Sequence, residues 1–302
     1  MQVYLPIAEL SVDVFLLLGL GGLIGFLSGL FGVGGGFLMT PLLIFIGVPP
    51  AIAVATQSTH VVASSVSGVL AHWKRGNVDV KMGAILLGGG FVGSTLGVGL
   101  FTVLRSIGQI DLVISLSYVV LLGTLGVMLM LEGARAMMRR RSQSRPGKLH
   151  SHNWAHGLPL KTRFRKSRLY ISALVPLAIG FGVGMISSLM GVGGGFILVP
   201  LMIYVLGMPT SVVIGTSLFQ IIFVSANVSF LQASQNQAVD LVLALLLVAG
   251  GVIGAQFGGR LGAKLPGEML RLLLGLLILC VGAKLLIDLL VPPEDIYSLG
   301  LS

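Results

Sequence analysis

The sequence predicts an all-α integral membrane protein built from two inverted structural repeats, each a broken or re-entrant helix pair followed by three spanning helices. Three observations carry this prediction. Of 302 residues, 55% are hydrophobic and only 10% are charged, where a soluble domain carries about a quarter charged residues; the mean hydropathy is +1.01. Apolar runs of about twenty residues, enough to cross a bilayer, recur along the chain, and the stretch from Leu112 to Leu131 contains no charge at all. The hexapeptide GVGGGF occurs at 32–37 and again at 191–196, each time inside a long apolar run and followed by a proline, Pro41 or Pro200. The N-terminal stretch MQVYLPIAELSVD has no basic region ahead of the first apolar segment, so no cleaved signal peptide is expected.

The elements follow in order. A helix over about 12–31 breaks at the glycines, a short apolar piece covers about 36–48, and helices follow near 51–72, 81–104 and 111–138. The second half repeats this at about 171–190, 195–208, 210–231, 240–262 and 268–290. At an offset of 159, residues 32–50 match 191–209 at ten of nineteen positions, and Gly21, Gly25 and Ser28 fall on Gly180, Gly184 and Ser187. A two-residue insertion then brings Val78-Asp79 onto Val239-Asp240, and Gly89, Gly93 and Gly97 onto Gly250, Gly254 and Gly258. This is an internal duplication. The predicted units are an N-terminal membrane repeat at 1–138, a basic loop at 139–168 and a C-terminal membrane repeat at 169–302.

Charge assigns sides. Residues 135–168 hold eleven Lys or Arg and no Asp or Glu, while the rest of the chain has eight basic and ten acidic residues. The net charge of +9 therefore belongs to one segment, which reads as a cytoplasmic loop near anionic lipid and not as a nucleic-acid surface. The nearby KTRFRKSR (161–168) is expected on the membrane surface. With three crossings per half, Lys74, Arg75, Lys81, Arg260, Lys264 and Arg271 join this loop in the cytoplasm, the uncharged loop 232–238 lies outside, and Arg105 is the exception. An odd number of crossings inverts one half relative to the other, a recurring plan of secondary transporters. A thirteen-residue piece reaches only about 20 Å, so its passage as a hairpin or as part of a crossing stays open. Glycines at four-residue spacing (Gly21, Gly25, Gly29; Gly89, Gly93, Gly97; Gly250, Gly254, Gly258, Gly262) are expected to let helices pack closely.

The glycine breaks carry the functional expectation. A helix that stops and restarts exposes backbone N–H groups, and its dipole puts partial positive charge at the restart. Glycine leaves that end open to a ligand, and the result is an anion cradle made of backbone. In an inverted repeat the two cradles meet near the midplane. The run lacks the GxGxxG spacing and preceding strand of a dinucleotide site.

These two segments, GVGGGFLMTPLLIFIGVPP and GVGGGFILVPLMIYVLGMP, with the basic loop between the halves, resemble the TauE/SafE sulfite exporter family, also called the TSUP family. The resemblance covers nearly the whole chain. It implies a bacterial-type plasma-membrane permease, usually an exporter, for sulfite, sulfoacetate or other organosulfonates.

Substrate contacts are expected from Gly34, Gly35 and Gly36 and from Gly193, Gly194 and Gly195. The next helix in each half adds a polar cluster: Gln57, Ser58 and His60 in the first, Thr216, Ser217 and Gln220 in the second. Neutral donors at that depth suit an anion that must bind and then leave, and intramembrane polar groups otherwise bond neighbouring helices. Ser58 aligns with Ser217, and His60 faces Phe219 in the alignment. No carboxylate falls mid-membrane: Asp79, Asp111, Asp240 and Glu268 sit near helix ends, and Lys284 is expected to snorkel. The lone Cys280 excludes an intrachain disulfide. His150, His152 and His156 lie in a solvated loop with nothing to hold metal geometry, so neither a metal nor a cofactor is expected. No nucleophile–base pair stands out, so an enzyme is disfavoured. The alternatives are a non-transporting membrane scaffold and a permease for a different small anion.

Overall fold

The computed structural model describes residues 2–31, 36–141, 161–164, 166–167, 169–262 and 267–291. It is an all-α membrane protein with one addition that hydropathy did not signal: each half opens with a β-hairpin. Strands β1 (Gln2–Leu5) and β2 (Leu10–Asp13) pair antiparallel with Leu5 opposite Leu10. Strands β3 (Lys161–Phe164) and β4 (Leu169–Ser172) repeat the same register, with Phe164 opposite Leu169. Every one of these pairings is related by the offset of 159. Residues 161–164 fall in the stretch expected to be basic loop, and they form β3 instead; the equivalence with β1 makes them the start of the second repeat. Four-residue strands leave too short a period-two pattern to stand out within a mostly apolar sequence.

The helices follow the expected order. The first half has α1 (Val14–Phe31), α2 (Gly36–Phe45), α3 (Pro50–Lys74), α4 (Val80–Ser106) and α5 (Ile110–Arg141). The second has α6 (Leu174–Met190), α7 (Gly195–Tyr204), α8 (Thr210–Gln235), α9 (Leu241–Gly262) and α10 (Gly267–Leu290). Spans within α4, α5, α8, α9 and α10 are long and apolar enough to cross a membrane. The short helices α2 and α7 have ten residues each, about 15 Å of rise, and each contains its proline.

The chain divides into two compact units. In the larger, α1 lies beside α9 and α4 beside α6. Backbone meets backbone at these contacts. A Cβ on Gly25 would strike the carbonyl of Gly251, and one on Gly254 that of Gly22; on the equivalent pair, a Cβ on Gly93 would strike the carbonyl of Phe181, and one on Gly184 that of Gly90. The glycine rows are therefore packing faces, as expected; Gly29 and Gly262 lie outside the described contacts. The central helices α3 and α8 run antiparallel: Thr59 meets Ser229 at 2.6 Å, Gly68 meets Leu218, and the end of α3 at His72 meets Gly215. The smaller unit holds α10 and the part of α5 from Leu112 onward. They are also antiparallel, with Gly126 against Leu279, Gly133 against Leu272 and Gly282 against Leu122.

The repeat register needs one correction. The offset is 159 through the short helices, but Gly47 and Gly207, both at positive φ (93° and 71°), follow them at an offset of 160. The caps Pro49 and Pro209 keep that offset into α3 and α8. Thr56 therefore corresponds to Thr216, and His60 to Gln220; the pairings of Ser58 with Ser217 and of His60 with Phe219 do not hold. One of the two inserted residues sits just before Gly207. A gapless alignment over the glycine motif hides it, because its last match pairs Pro50 with Pro209.

The hairpins sit over the short helices. Leu5 and Ala8 pack with Met39 and Leu43 of α2 and with Leu243 and Leu247 of α9. Phe164 and Ile171 pack with Leu198 and Met202 of α7 and with Met82 and Leu86 of α4. Basic residues take part: Lys166 Nζ donates to the Val78 carbonyl at 3.0 Å, and Lys81 lies 5.9 Å from the Phe164 ring centre. Arg105, the charge exception, donates its guanidinium to the carbonyl of Asn236.

Candidate functional site

The second glycine break is visible throughout. Helix α6 ends at Gly191 in the left-handed conformation (φ 69°), whose N–H returns to the Ser187 carbonyl at 2.8 Å. This is the usual glycine stop of a helix. Gly193 and Gly194 are also left-handed, at φ 70° and 71°, before α7 restarts at Gly195. Such a path is open to glycine and costly for other residues. Among the described residues, no hydrogen bond engages the N–H groups of Val192, Gly193 or Gly194. Of the first break, Gly34 and Gly35 lie outside the described residues, and Gly36 begins α2.

The described end of the first break, Gly36, meets the second. Phe37 and Phe196, each following the glycines, pack with ring centres 5.4 Å apart and planes tilted by 47°. A Cβ on Gly36 would lie 2.8 Å from Gln57 Nε2, 3.0 Å from Val61 Cγ2 and 3.3 Å from the Val192 carbonyl oxygen. A Cβ on Gly193 would strike Val61 Cγ1 and lie 3.1 Å from Ile221 Cγ2 and 3.2 Å from Ser225 Oγ. Val61 thus touches Gly36 with one methyl group and Gly193 with the other. Gly36, where the first break ends, lies against the second break both directly, at the Val192 carbonyl, and through Val61.

The polar groups here are neutral and incompletely used. Gln57 is fully buried; its Nε2 donates to the Gly36 carbonyl at 2.9 Å, while its Oε1 has no partner. Ser225 Oγ and Thr40 Oγ1 are buried and unpartnered as well. Buried polar atoms in proteins are normally satisfied, and these atoms, like the N–H groups of Val192, Gly193 and Gly194, are exceptions among the described residues. The α7 dipole adds partial positive charge at the same end.

The other expected residues have different surroundings. Ser58 Oγ and Ser217 Oγ bond carbonyls of their own helices, at Val54 (3.2 Å) and Ile214 (3.0 Å). Thr216 Oγ1 accepts the backbone N–H of Asp79 at 3.0 Å. His60 Nε2 lies 2.8 Å from the Cβ position of Gly251, and Gln220 Nε2 lies 2.6 Å from that of Gly90. These two are equivalent residues packed on equivalent glycines of α9 and α4, with His60 Nδ1 and both Gln220 side-chain atoms unpartnered. Gly194 faces Val183, and Gly195 faces Ile221.

Val61, Ile221 and Ser225 were not singled out from the sequence. A signal for them exists. Gln57, Val61 and Ser65 in α3, and Ser217, Ile221 and Ser225 in α8, are spaced by four and so share one helix face. The two stripes coincide at the offset of 160. Among the described residues no three His, Cys, Asp or Glu gather into a metal-binding group; His150, His152 and His156 lie outside them.

Comparison with known proteins agrees with this architecture. The family model described as "Sulfite exporter TauE/SafE" matches residues 17–285. A probable membrane transporter protein of Bacillus subtilis, YjnA, is 28% identical over 280 residues, covering 92% of this chain and all of its own. A probable membrane transporter protein of Xylella fastidiosa (strain 9a5c) is 30% identical over 268 residues, covering 87% of this chain and 91% of its own. The archaeal protein MJ0441 of Methanocaldococcus jannaschii, also a probable membrane transporter protein, is 23% identical over 298 residues, covering 93% and 100%. No solved structure matches significantly. The chain is a multi-pass membrane transporter and belongs to the TauE/SafE sulfite exporter family.

Proposed function

We propose that this transporter carries small sulfur-containing oxyanions, sulfite or organosulfonates, out of the cell, and that it binds them where the two glycine breaks meet. The observation that carries the reading is the juxtaposition at Val61: one side chain touches both breaks, and around it lie free backbone N–H groups and unpartnered, buried Gln57 and Ser225 atoms. Backbone N–H groups and a helix N-terminus suit an oxyanion. The absence of a fixed counter-charge among the residues described at the site suits an ion that must leave again, since a bidentate Arg would hold it more tightly.

Alternating access follows from inversion of the halves. The antiparallel crossing of the equivalent helices α3 and α8 supports inversion, as does the antiparallel pairing of α5 with α10. One half then moves against the other around the central site, as in other inverted-repeat transporters. The basic stretch lies at the cytoplasmic face near anionic lipid. The test is thermal stabilisation of purified protein by sulfite and sulfonates, followed by flux in proteoliposomes. Saturable flux with matching stabilisation is the expected result; no flux of any sulfur oxyanion would refute the substrate class.

A further inference from the structure

We infer that Gln57 reads a hydrogen-bond donor on the transported anion, so that the site favours small oxyanions or sulfonates bearing an acid proton, a hydroxyl or an ammonium over those that only accept. The inference rests on the reading of the meeting breaks as the substrate site, and it adds a chemical requirement to it. The Gly36 carbonyl can only accept, so the atom facing it at 2.9 Å must be the amide nitrogen of Gln57. The carboxamide is planar, and this bond therefore fixes the direction of Oε1. Oε1 is left as an acceptor, fully buried and without a partner.

The second half does not duplicate this acceptor. The residue equivalent to Gln57 is Ser217, whose hydroxyl is already committed to the Ile214 carbonyl of its own helix. The site is consequently lopsided. At the Gly193 end are free backbone N–H groups and the Ser225 hydroxyl, which suit an anionic oxygen. At the Gly36 end is a carbonyl oxygen, which repels an anionic oxygen and welcomes a donor. Val61 touches both ends, one with each methyl group. A ligand that satisfies both is an anion at one end and a donor at the other. One lacking the donor leaves Oε1 buried and unpaired, a loss of about tenfold or more in affinity.

The test compares two isosteric competitors against flux of labelled sulfite through the wild-type protein in proteoliposomes. Hydroxyethanesulfonate carries the donor, and propanesulfonate has a methyl group in its place. The expected result is that hydroxyethanesulfonate competes about tenfold better, and that aminoethanesulfonate also outcompetes propanesulfonate. In Gln57→Leu the ratio falls to near one, a change that a general loss of stability would not produce. Equal competition in the wild type, with sulfite flux intact, would overturn the role of Gln57 and leave the proposed function standing. A preference that survives in Gln57→Leu or Gln57→Met would assign the acceptor elsewhere and overturn it too. Absence of any sulfite or sulfonate flux would instead refute the proposed function itself.

Discussion

Thr56 accepts a hydrogen bond from the backbone N–H of Asp240 at 3.0 Å. Its structural equivalent, Thr216, accepts one from the backbone N–H of Asp79, also at 3.0 Å. Each aspartate then works twice more with its side chain. Asp79 caps α4 through the Met82 N–H and takes both the N–H and the hydroxyl of Ser167, in the second hairpin, at 3.1 and 2.6 Å. Asp240 caps α9 through the N–H groups of Val242 and Leu243 and takes the N–H of Ile7, in the first hairpin, at 3.1 Å. Each half thereby holds the other: a threonine of one central helix and the turn of one hairpin close on an aspartate of the opposite repeat.

Removing the hydroxyl alone strands a buried donor. Thr216→Val keeps the shape of the side chain and leaves the Asp79 N–H unpaired, a cost of about 1–3 kcal/mol. Thr56→Val should cost a similar amount at Asp240. Asp79→Ala should cost more than either, because it also removes the helix cap and frees Ser167. Thermal unfolding in detergent reads these differences, and an unchanged melting temperature in both threonine variants would refute the latch.

The glycine faces make a sharper comparison. Gly25→Ala and Gly93→Ala put a methyl group onto the backbone carbonyls of Gly251 and Phe181, which cannot be relieved by moving a side chain. Overpacking of this kind costs about 1–3 kcal/mol or more. Gly88 and Gly99 have nothing within 4 Å of a Cβ, so Gly88→Ala and Gly99→Ala should be neutral or slightly stabilising, since alanine favours a helix by about 1 kcal/mol. Equal yield and stability across all four variants would contradict the close packing of α1 on α9 and α4 on α6.

Much of this architecture was legible in the sequence. The duplication, the ten helices among the described residues and the glycine faces all follow from hydropathy and spacing, because a bilayer forces long apolar helices and close backbones demand glycine. The hairpins were not legible. Their strands are short, and half of their justification is remote: Leu5 is buried by α2 and α9, and Phe164 by α7 and α4. The candidate site was half legible. The breaks announced themselves, but the stripe Gln57–Val61–Ser65 and its counterpart Ser217–Ile221–Ser225 became visible only with the register corrected at Gly47 and Gly207. Val61 and Ile221 are ordinary apolar residues in an apolar helix, and nothing but their neighbours distinguishes them. Thr216, conversely, looked like a substrate ligand because it is polar and deep, and the structure engages it at Asp79.

Val61 touches Gly36 with one methyl group and Gly193 with the other, which gives it a measurable role. Gly193→Ala adds a methyl group against Val61 and also forces alanine to φ 70°, a strain of about 1–2 kcal/mol. Val61→Ala removes the collision but not the strain. The double variant should therefore be more stable than the sum of the two single effects predicts, by roughly 0.5–3 kcal/mol, the usual coupling of residues in contact. In transport, Val61→Ala should widen the tolerance for bulkier sulfonates, and Val61→Phe should abolish flux in a protein that still folds. Full additivity in the stability cycle would deny the contact. Unaltered substrate range in Val61→Ala would deny that the contact borders the substrate.

Inversion of the two halves has a direct chemical test. Arg75 and Gln235 are equivalent residues at the ends of α3 and α8, both exposed, and those helices cross antiparallel. In an inverted repeat the two positions face opposite sides of the membrane. Lys81 and Lys166 group the end of α3 with the second hairpin, which carries the basic sequence, so Arg75 should be cytoplasmic. Arg105 donates to the carbonyl of Asn236 and so belongs with Gln235 at the other face, where one guanidinium taken up by a carbonyl is a weak topological signal against the eleven basic residues of 135–168. In a Cys280→Ser background, which removes the one native thiol, Arg75→Cys and Gln235→Cys are each treated in intact cells with a membrane-impermeant thiol reagent. Gln235→Cys should react, and Arg75→Cys should react only after the membrane is opened. Labelling of both from the same side would show that the repeats are parallel and would remove the basis for alternating access by exchange of equivalent halves.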